Sequence, residues 1–320
     1  MKRIAVLTSG GDSPGMNATI RAVVRGALYH EMEIFGIERG YSGLIEGEIR
    51  EMNARSVGDI IQRGGTILKT ARSAEFLTEK GFNMALNMLA SFKIEGLVVI
   101  GGNGSLLGAL KLAEAGVKVM GLPGTIDNDL AFTDYTIGFD TAVNTALTAI
   151  GNIRDTSQSH DRTTIVEVMG RNCGDIAILS ALGGGAEIVL IPERPEDVDD
   201  ICRRLVESKN RGKKSSIIIK AEGVEVPSQE LADLIAARTG LEAKVVILGY
   251  IQRGGSPTAR DRQLAAMLGY EAARLLKKDV YNRAVGVRGD SVVDYDLAEA
   301  LAMKSDPLLD LDGLADILSQ

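Results

Sequence analysis

A chain of 320 residues is long enough for two domains at roughly 100–200 residues each. Its net charge of −7 argues against a general nucleic-acid surface, which calls for a basic balance. Its longest apolar runs, such as 97–100 and 188–191, fall far short of the ~20 residues of a membrane span. From the amino terminus, short β-rich runs alternate with helical patterns. A strand at 2–8 precedes a helix at 16–31, a strand at 33–37 and a helix at 82–92. A strand at 96–100, a helix at 104–115 and a strand at 117–122 follow, then a helix at 141–156. Strands at 163–168 and 188–191, a helix at 195–209, a strand at 216–221, a helix at 228–238, a strand at 244–248 and a helix at 259–277 complete the series. Most strands are continuous apolar runs, as expected where helices cover both faces of a sheet. In the helix at 141–156, Val143, Ala146, Leu147 and Ile150 recur at three and four residues, giving one buried stripe. Strand and helix in alternation predict an α/β fold with largely parallel sheets. With 4% aromatic residues and no Trp, the core falls to Ala, Val, Ile and Leu.

The amino terminus runs straight into a strand without the apolar core and cleavage site of a signal peptide. Two cysteines, Cys173 and Cys202, offer neither metal spacing nor a disulfide framework, so the expectation is a cytoplasmic protein. His30 and His160 are the two histidines, too few for a His-based metal site.

Glycine stands out: 37 residues against about 22 expected at the usual ~7%. Part of the excess gathers in turns at strand ends. Ser9-Gly10-Gly11-Asp12 follows the first strand, and Gly101-Gly102-Asn103-Gly104-Ser105 follows the strand ending at Ile100. Both open a helix, where backbone N–H groups and the helix dipole favour a phosphate. Open α/β sheets bind ligands at such strand ends. Gly102, Gly104 and Gly108 nearly match the dinucleotide fingerprint, with one residue too many, and Gly212-Lys213-Lys214-Ser215 lacks the spacing of a P-loop. A third turn, Pro123-Gly124-Thr125-Ile126-Asp127-Asn128-Asp129, places two carboxylates two residues apart. A carboxylate at a strand end acts either as a base toward a sugar hydroxyl or as a ligand for a magnesium ion that bridges phosphates. Arg72, Arg162, Arg171 and Arg253 lie beside Gly, Ser, Thr or Asn in expected loops and strand ends, where cations would meet a phosphorylated substrate.

These segments, together with Gly138-Phe139-Asp140-Thr141-Ala142, Met169-Gly170-Arg171, Ala221-Glu222-Gly223 and Gln252-Arg253-Gly254-Gly255-Ser256-Pro257, resemble the bacterial ATP-dependent 6-phosphofructokinases in order and spacing. The resemblance implies two Rossmann-like three-layer α/β/α domains with mainly parallel sheets. It puts a larger ATP-binding domain at 1–138 plus 252–302 and a smaller sugar-phosphate-binding domain at 139–251 plus 303–320. It implies phosphorylation of fructose 6-phosphate at its 1-hydroxyl by ATP with Mg²⁺, in a homotetramer. Carried over residue by residue, Asp127 is the base, with Thr125 and Asp129 beside it, and Arg171 stabilises the transferring phosphoryl group. Gly11, Arg72, Ser73, Gly102, Asn103, Gly104, Ser105 and Gly108 line the ATP site. Met169, Gly170 and Glu222 hold the sugar. Arg162, reaching from a neighbouring subunit, grips the 6-phosphate with Arg253, Lys244 and Tyr250. Arg21, Arg25, Arg154, Gly185, Glu187, Arg211, Lys213 and Lys214 match positions that bind ADP or phosphoenolpyruvate as effectors.

Several positions depart from the family pattern. The magnesium-placing Asp is Asn103, which keeps an oxygen and loses the charge. Lys244 replaces an Arg that reaches the 6-phosphate from a neighbouring subunit and loses its bidentate fork, and Tyr250 replaces a His near the same phosphate. At the effector positions Ala54 replaces a basic residue, although Arg55 adjoins it, and Ser215 replaces a His or Lys. The alternatives these departures raise are a kinase for another sugar phosphate, or a weakly active or non-catalytic paralogue with a binding role. Pyrophosphate-using relatives carry larger residues where this chain has Gly104 and Gly124, so the resemblance points to ATP as donor.

Overall fold

The computed structural model describes residues 1–304 and 308–318. In chain order the elements are β1 (Arg3–Thr8), α1 (Met16–Tyr29), β2 (Glu33–Ile37), α2 (Gly40–Glu46), β3 (Ile49–Met52), α3 (Glu79–Ser91), β4 (Gly96–Gly101), α4 (Asn103–Glu114), β5 (Lys118–Thr125) and β6 (Ile137–Gly138). Then come α5 (Phe139–Ser159), β7 (Thr163–Val168), α6 (Asp175–Gly184), β8 (Ile188–Leu190), α7 (Val198–Asn210), β9 (Ser216–Ala221), α8 (Ser228–Thr239) and β10 (Ala243–Ile247). The chain closes with α9 (Ala259–Lys277), β11 (Arg283–Arg288), β12 (Ser291–Asp296), α10 (Leu297–Ala302) and α11 (Leu309–Leu318). It divides into two compact units, Met1–Thr141 with Arg253–Ser305, and Ala142–Gln252 with Asp306–Gln320. Of the expected second-domain tail at 303–320, residues 305–307, 319 and 320 lie outside the described residues.

The first unit is built on an eight-stranded sheet in the order β12-β11-β5-β4-β1-β2-β3, with β6 pairing β5. Only its edges run antiparallel, at β3 and β12. Strand β1 shows why both faces are covered. Ile4 and Val6 face a core shared with Ile20, Val24, Leu268 and Leu276 of α1 and α9. Ala5 and Leu7 face the opposite core, with Leu44, Leu89, Leu106 and Leu112 of α2, α3 and α4. Successive side chains point to opposite faces, so a strand buried on both sides must be apolar at every position. All four residues are fully buried.

The second unit carries a four-stranded parallel sheet, β10-β7-β9-β8. Ile165, Ile218, Ile188 and Leu190 pack there against Ile201 and Leu205 of α7 and Leu231 and Ile235 of α8. Both units are α/β with mainly parallel sheets, as the alternation predicts. Elements that the apolar runs did not announce are the half-exposed edge strand β12, the short strands β3 and β6, strand β11, and helices α2, α6, α10 and α11.

Candidate functional site

In the first unit, β1 lies between β4 and β2, so the chain reverses its direction of travel across the sheet there. That is the switch point at which open α/β sheets bind ligands. The helices that open on this edge are α1 and α4. Neither has a side-chain cap or an acidic residue in its first turn. Other helices are capped: Thr78 accepts from Gly81 N at 3.1 Å, and Asp197 from Asp199 N at 2.9 Å. The two helix starts at the switch point therefore keep unsatisfied N–H groups and a positive dipole end for an anion.

The glycine loops are in contact. Ser9 N donates to Ile100 O at 3.0 Å, and a Cβ on Gly10 would stand 3.0 Å from Ser105 Oγ. A Cβ on Gly102 would stand 3.4 Å from Thr125 Cβ, which sets the β5 turn beside the β4–α4 loop. The guanidinium of Arg253 lies beside Gly11, with Nη1 3.6 Å from where a Cβ would be. Asn103 and Gly104 are exposed, and nothing stands within 4 Å of a Cβ on Gly104. Gly108 backs onto the ring of buried Tyr41, whose hydroxyl donates to Ser105 O at 2.6 Å. Gly124 differs from Gly104. A Cβ there would lie 2.8 Å from Ile100 Cγ2, so local packing also excludes a larger residue at that position.

The β5 turn owes its shape to Asn128. This residue is buried, takes the left-handed conformation (φ 54°), and accepts from Thr136 N at 3.0 Å. Thr136 Oγ1 in turn donates to Thr125 O at 2.7 Å, and Asp127 N donates to Thr125 Oγ1 at 3.2 Å. Asp127 and Asp129 are left half-buried on either side of a fixed residue. The segment carrying Arg72 is tied down by Asn17, whose amide donates to Arg63 O and Gly64 O, each at 3.1 Å, and accepts from Ile67 N at 2.7 Å. Thr70 Oγ1 adds a bond to Gly10 O at 2.8 Å. Arg72 is exposed, and Ser73 Oγ accepts from Phe76 N at 3.2 Å to start a 3₁₀ turn. Asp261 ties α9 to the start of α5, accepting from Gly138 N and Thr141 N at 2.8 Å each. Burial raises its carboxyl pKa, against the opposing bonds from Thr141 and Gly138.

In the second unit, two loops interlock at the carboxyl ends of β7 and β9. Glu222 N donates to Val168 O at 2.8 Å, and Gly223 N to Gly170 O at 3.1 Å. Gly170 takes a positive φ of 127°, and Met169 N donates to Oε1 of fully buried Gln252 at 2.9 Å. Arg171 and Glu222 are exposed. Arg162 and Lys244 both pair with Glu242, at 3.3 and 2.6 Å. Lys244 foremost, and then Arg162, holds the Glu242 carboxyl below its usual range. Tyr250 is 81% exposed. Four of the expected effector residues converge. Arg154 donates to Gly185 O at 2.6 Å, and its guanidinium stands 3.9 Å from the carboxylate of Glu187. Lys213 pairs with the same carboxylate at 2.6 Å. Lys213 and Lys214 also line a cavity of about 440 Å³ with Asp161, Lys209, Ser216 and Glu242. Arg211 is exposed at the end of α7, while Arg21 and Arg25 lie on α1 of the first unit.

The sequence reading missed the supporting side chains Asn17, Asn128, Tyr41 and Gln252. Asn128 and Gln252 lie inside the quoted motifs and Asn17 five residues past one, but a polar residue type does not say which backbone group it will hold. Tyr41 lies outside the motifs altogether.

The sequence profile described as Phosphofructokinase matches residues 3–276. The chain is 56% identical over 319 residues to the ATP-dependent 6-phosphofructokinase of Alkaliphilus metalliredigens, covering 100% of both chains. It is 56% identical over 320 residues to that of Clostridium acetobutylicum, again covering 100% of both. Among solved structures, that of Pichia pastoris phosphofructokinase superposes with a TM-score of 0.88 at 35% identity. That match covers 94% of this chain but spans 37% of the Pichia chain. A pyrophosphate-dependent phosphofructokinase from Marinobacter aquaeolei superposes at 0.86 with 22% identity, over 99% of this chain and 91% of its own, a likeness of fold alone.

Proposed function

The chain belongs to the phosphofructokinase family, and from that membership we propose that it transfers the γ-phosphoryl group of ATP to the 1-hydroxyl of fructose 6-phosphate, the glycolytic step that yields fructose 1,6-bisphosphate and ADP. The observation that carries the reading is one sheet edge that combines an uncapped α4 start, the open position at Gly104 and Asp127, whose backbone N is held by Thr125. The glycine loops receive the triphosphate on backbone N–H groups. Asp127 takes the 1-hydroxyl proton as that oxygen attacks the γ-phosphorus, and the bond to the ADP oxygen breaks. Arg171 stabilises the charge spread over the transferring group. Met169, Gly170 and Glu222 hold the sugar, and Arg162, Lys244, Tyr250 and Arg253 take its 6-phosphate.

The donor set fits an ion shared with phosphates. Asp129 offers a carboxylate and Asn103 an amide oxygen, at the ends of neighbouring strands β5 and β4. Magnesium commonly rests on one or two such groups plus substrate oxygens. When bound with ATP, Mg²⁺ neutralises charge on the triphosphate. We assign ADP or phosphoenolpyruvate to the cluster of Arg154, Gly185, Glu187 and Lys213, with Arg21, Arg25, Arg211 and Lys214 as further contacts. The working form is a cytoplasmic homotetramer. Among the described residues no helix is long and apolar enough to cross a membrane.

The test is turnover by the purified protein with ATP at millimolar Mg²⁺, on fructose 6-phosphate beside sedoheptulose 7-phosphate and tagatose 6-phosphate. Fructose 6-phosphate should be preferred, and Asp127→Ala should cost about a thousandfold in kcat. A preference for another sugar phosphate would redirect the assignment, and no ATP-dependent turnover of any would end it.

A further inference from the structure

Lys220 is 1% exposed, in a strand whose other side chains are apolar except Ser216 at its start. An ammonium is expensive to bury, and a methionine would fill similar space without that cost. Its partner is on the neighbouring strand: Glu167 of β7 and Lys220 of β9 are in register, and Nζ stands 3.5 Å from Glu167 Oε2. The flanking positions of this row are Leu190 on β8, which is buried, and Ile247 on β10, which is exposed, so the lysine end of the pair is the more deeply enclosed. Lys220 Nζ also lies 3.4 Å from Ala221 O. The same Glu167 Oε2 accepts a short bond from Oγ of Ser228, which is buried and is the first residue of α8. That helix has no side-chain cap of its own, and a carboxylate at its amino end suits its dipole.

These contacts place one carboxylate at both ends of a single loop. Lys220 immediately precedes residues 221–227, which are the last residue of β9 and the loop after it, and Ser228 immediately follows them. The loop carries Glu222, and it is already stitched to the β7 loop by Glu222 N to Val168 O and Gly223 N to Gly170 O. Glu167 lies three residues before Gly170 and four before Arg171. We propose that Glu167, Lys220 and Ser228 form a clamp that fixes residues 221–227 and thereby presents Glu222 to the hydroxyls of the substrate sugar. They are positioning residues, since none of them lies in the loop itself. The inference rests on the assignment of Glu222 to sugar binding. A buried ion pair is weak evidence for stability, and its best-attested use is to specify one arrangement among several.

The clamp predicts a separation between folding and binding. In the double variant Lys220→Met/Glu167→Gln the buried charges disappear together, while Gln still accepts from Ser228. Its melting temperature should stay within a few degrees of the parent, which keeps the test open even if Lys220→Met alone fails to fold. Amide hydrogen exchange in 221–227 should accelerate. KM for fructose 6-phosphate should rise about five- to tenfold, with KM for ATP within about twofold. A folded double variant with parental exchange in 221–227, or with parental KM for fructose 6-phosphate, would overturn the clamp. Glu222→Gln distinguishes the two levels. If it leaves KM for fructose 6-phosphate unchanged, the sugar assignment itself fails. If it raises that KM while the double variant does not, the assignment stands and the clamp falls.

Discussion

Asn103 is the first residue of α4 and is exposed at the end of β4. An amide there offers one oxygen to a hard cation without the charge that a carboxylate would bring. Asp129, on the neighbouring strand's turn, keeps a full carboxylate, so the proposed ion site has one anionic donor. Restoring the second in Asn103→Asp should lower the Mg²⁺ concentration for half-maximal activity about tenfold, the equivalent of ~1.4 kcal/mol. A magnesium titration at fixed ATP checks this, and an unchanged midpoint would mean that residue 103 does not face the ion. At this scale residue type alone singled out the carboxylates of the 123–129 turn, and the fold leaves both half-buried at the end of β5. The sequence was opaque where a polar side chain works by holding backbone. Gln252 receiving Met169 N and Asn128 receiving Thr136 N are long-range or conformational facts that residue type does not encode.

At the scale of elements, the buried central strands were legible because burial on both faces forces a continuous apolar run, as in β1 and β4. Helix α6 escaped for the same reason. Ile176, Ala177, Ile178, Ser180 and Ala181 are all buried, so no polar face marks its turns. Strand β11 is interrupted by Gly286, where a Cβ would stand 2.7 Å from Thr133 Cβ, a close approach visible only in three dimensions. The β7 and β9 loops depend on a similar approach. A Cβ on Gly223 would fall 1.9 Å from Arg171 O, inside any contact a rotamer change could relieve, because the clash is with backbone. Gly223→Ala should therefore displace the segment that carries Arg171 and lower kcat/KM for fructose 6-phosphate by about a hundredfold. Circular dichroism should stay parental, since each strand remains intact. Parental kinetics would show that the two loops adjust independently.

For the whole molecule, a net charge of −7 means that anionic substrates are drawn by a few placed cations and not by the general field. Two of those proposed for the sugar phosphate, Lys244 on β10 and Arg162 beside it, stand half-exposed at the edge of the second sheet. The same edge displays Ile247, Tyr250 and Ile251 at 63%, 81% and 57% exposure. Ile247 ends the strand and Tyr250 and Ile251 lie in the 3₁₀ turn that follows it, and an edge flanked by such side chains in water invites pairing and is ordinarily shielded. A second copy of the chain would shield it in the proposed homotetramer, and would carry Arg162 toward a neighbour's sugar phosphate. Light scattering should give the purified protein four times the 34.0 kDa chain mass. Ile247→Asp/Ile251→Asp should shift it to smaller species, because each carboxylate would have to be desolvated on association. KM for fructose 6-phosphate should rise at least about tenfold with that dissociation, in line with losing one partner of a charge pair at an interface. If the double variant dissociates and KM stays parental, Arg162 serves its own subunit. If it remains four chains, this edge lies outside the interface, and the exposed apolar row needs another occupant.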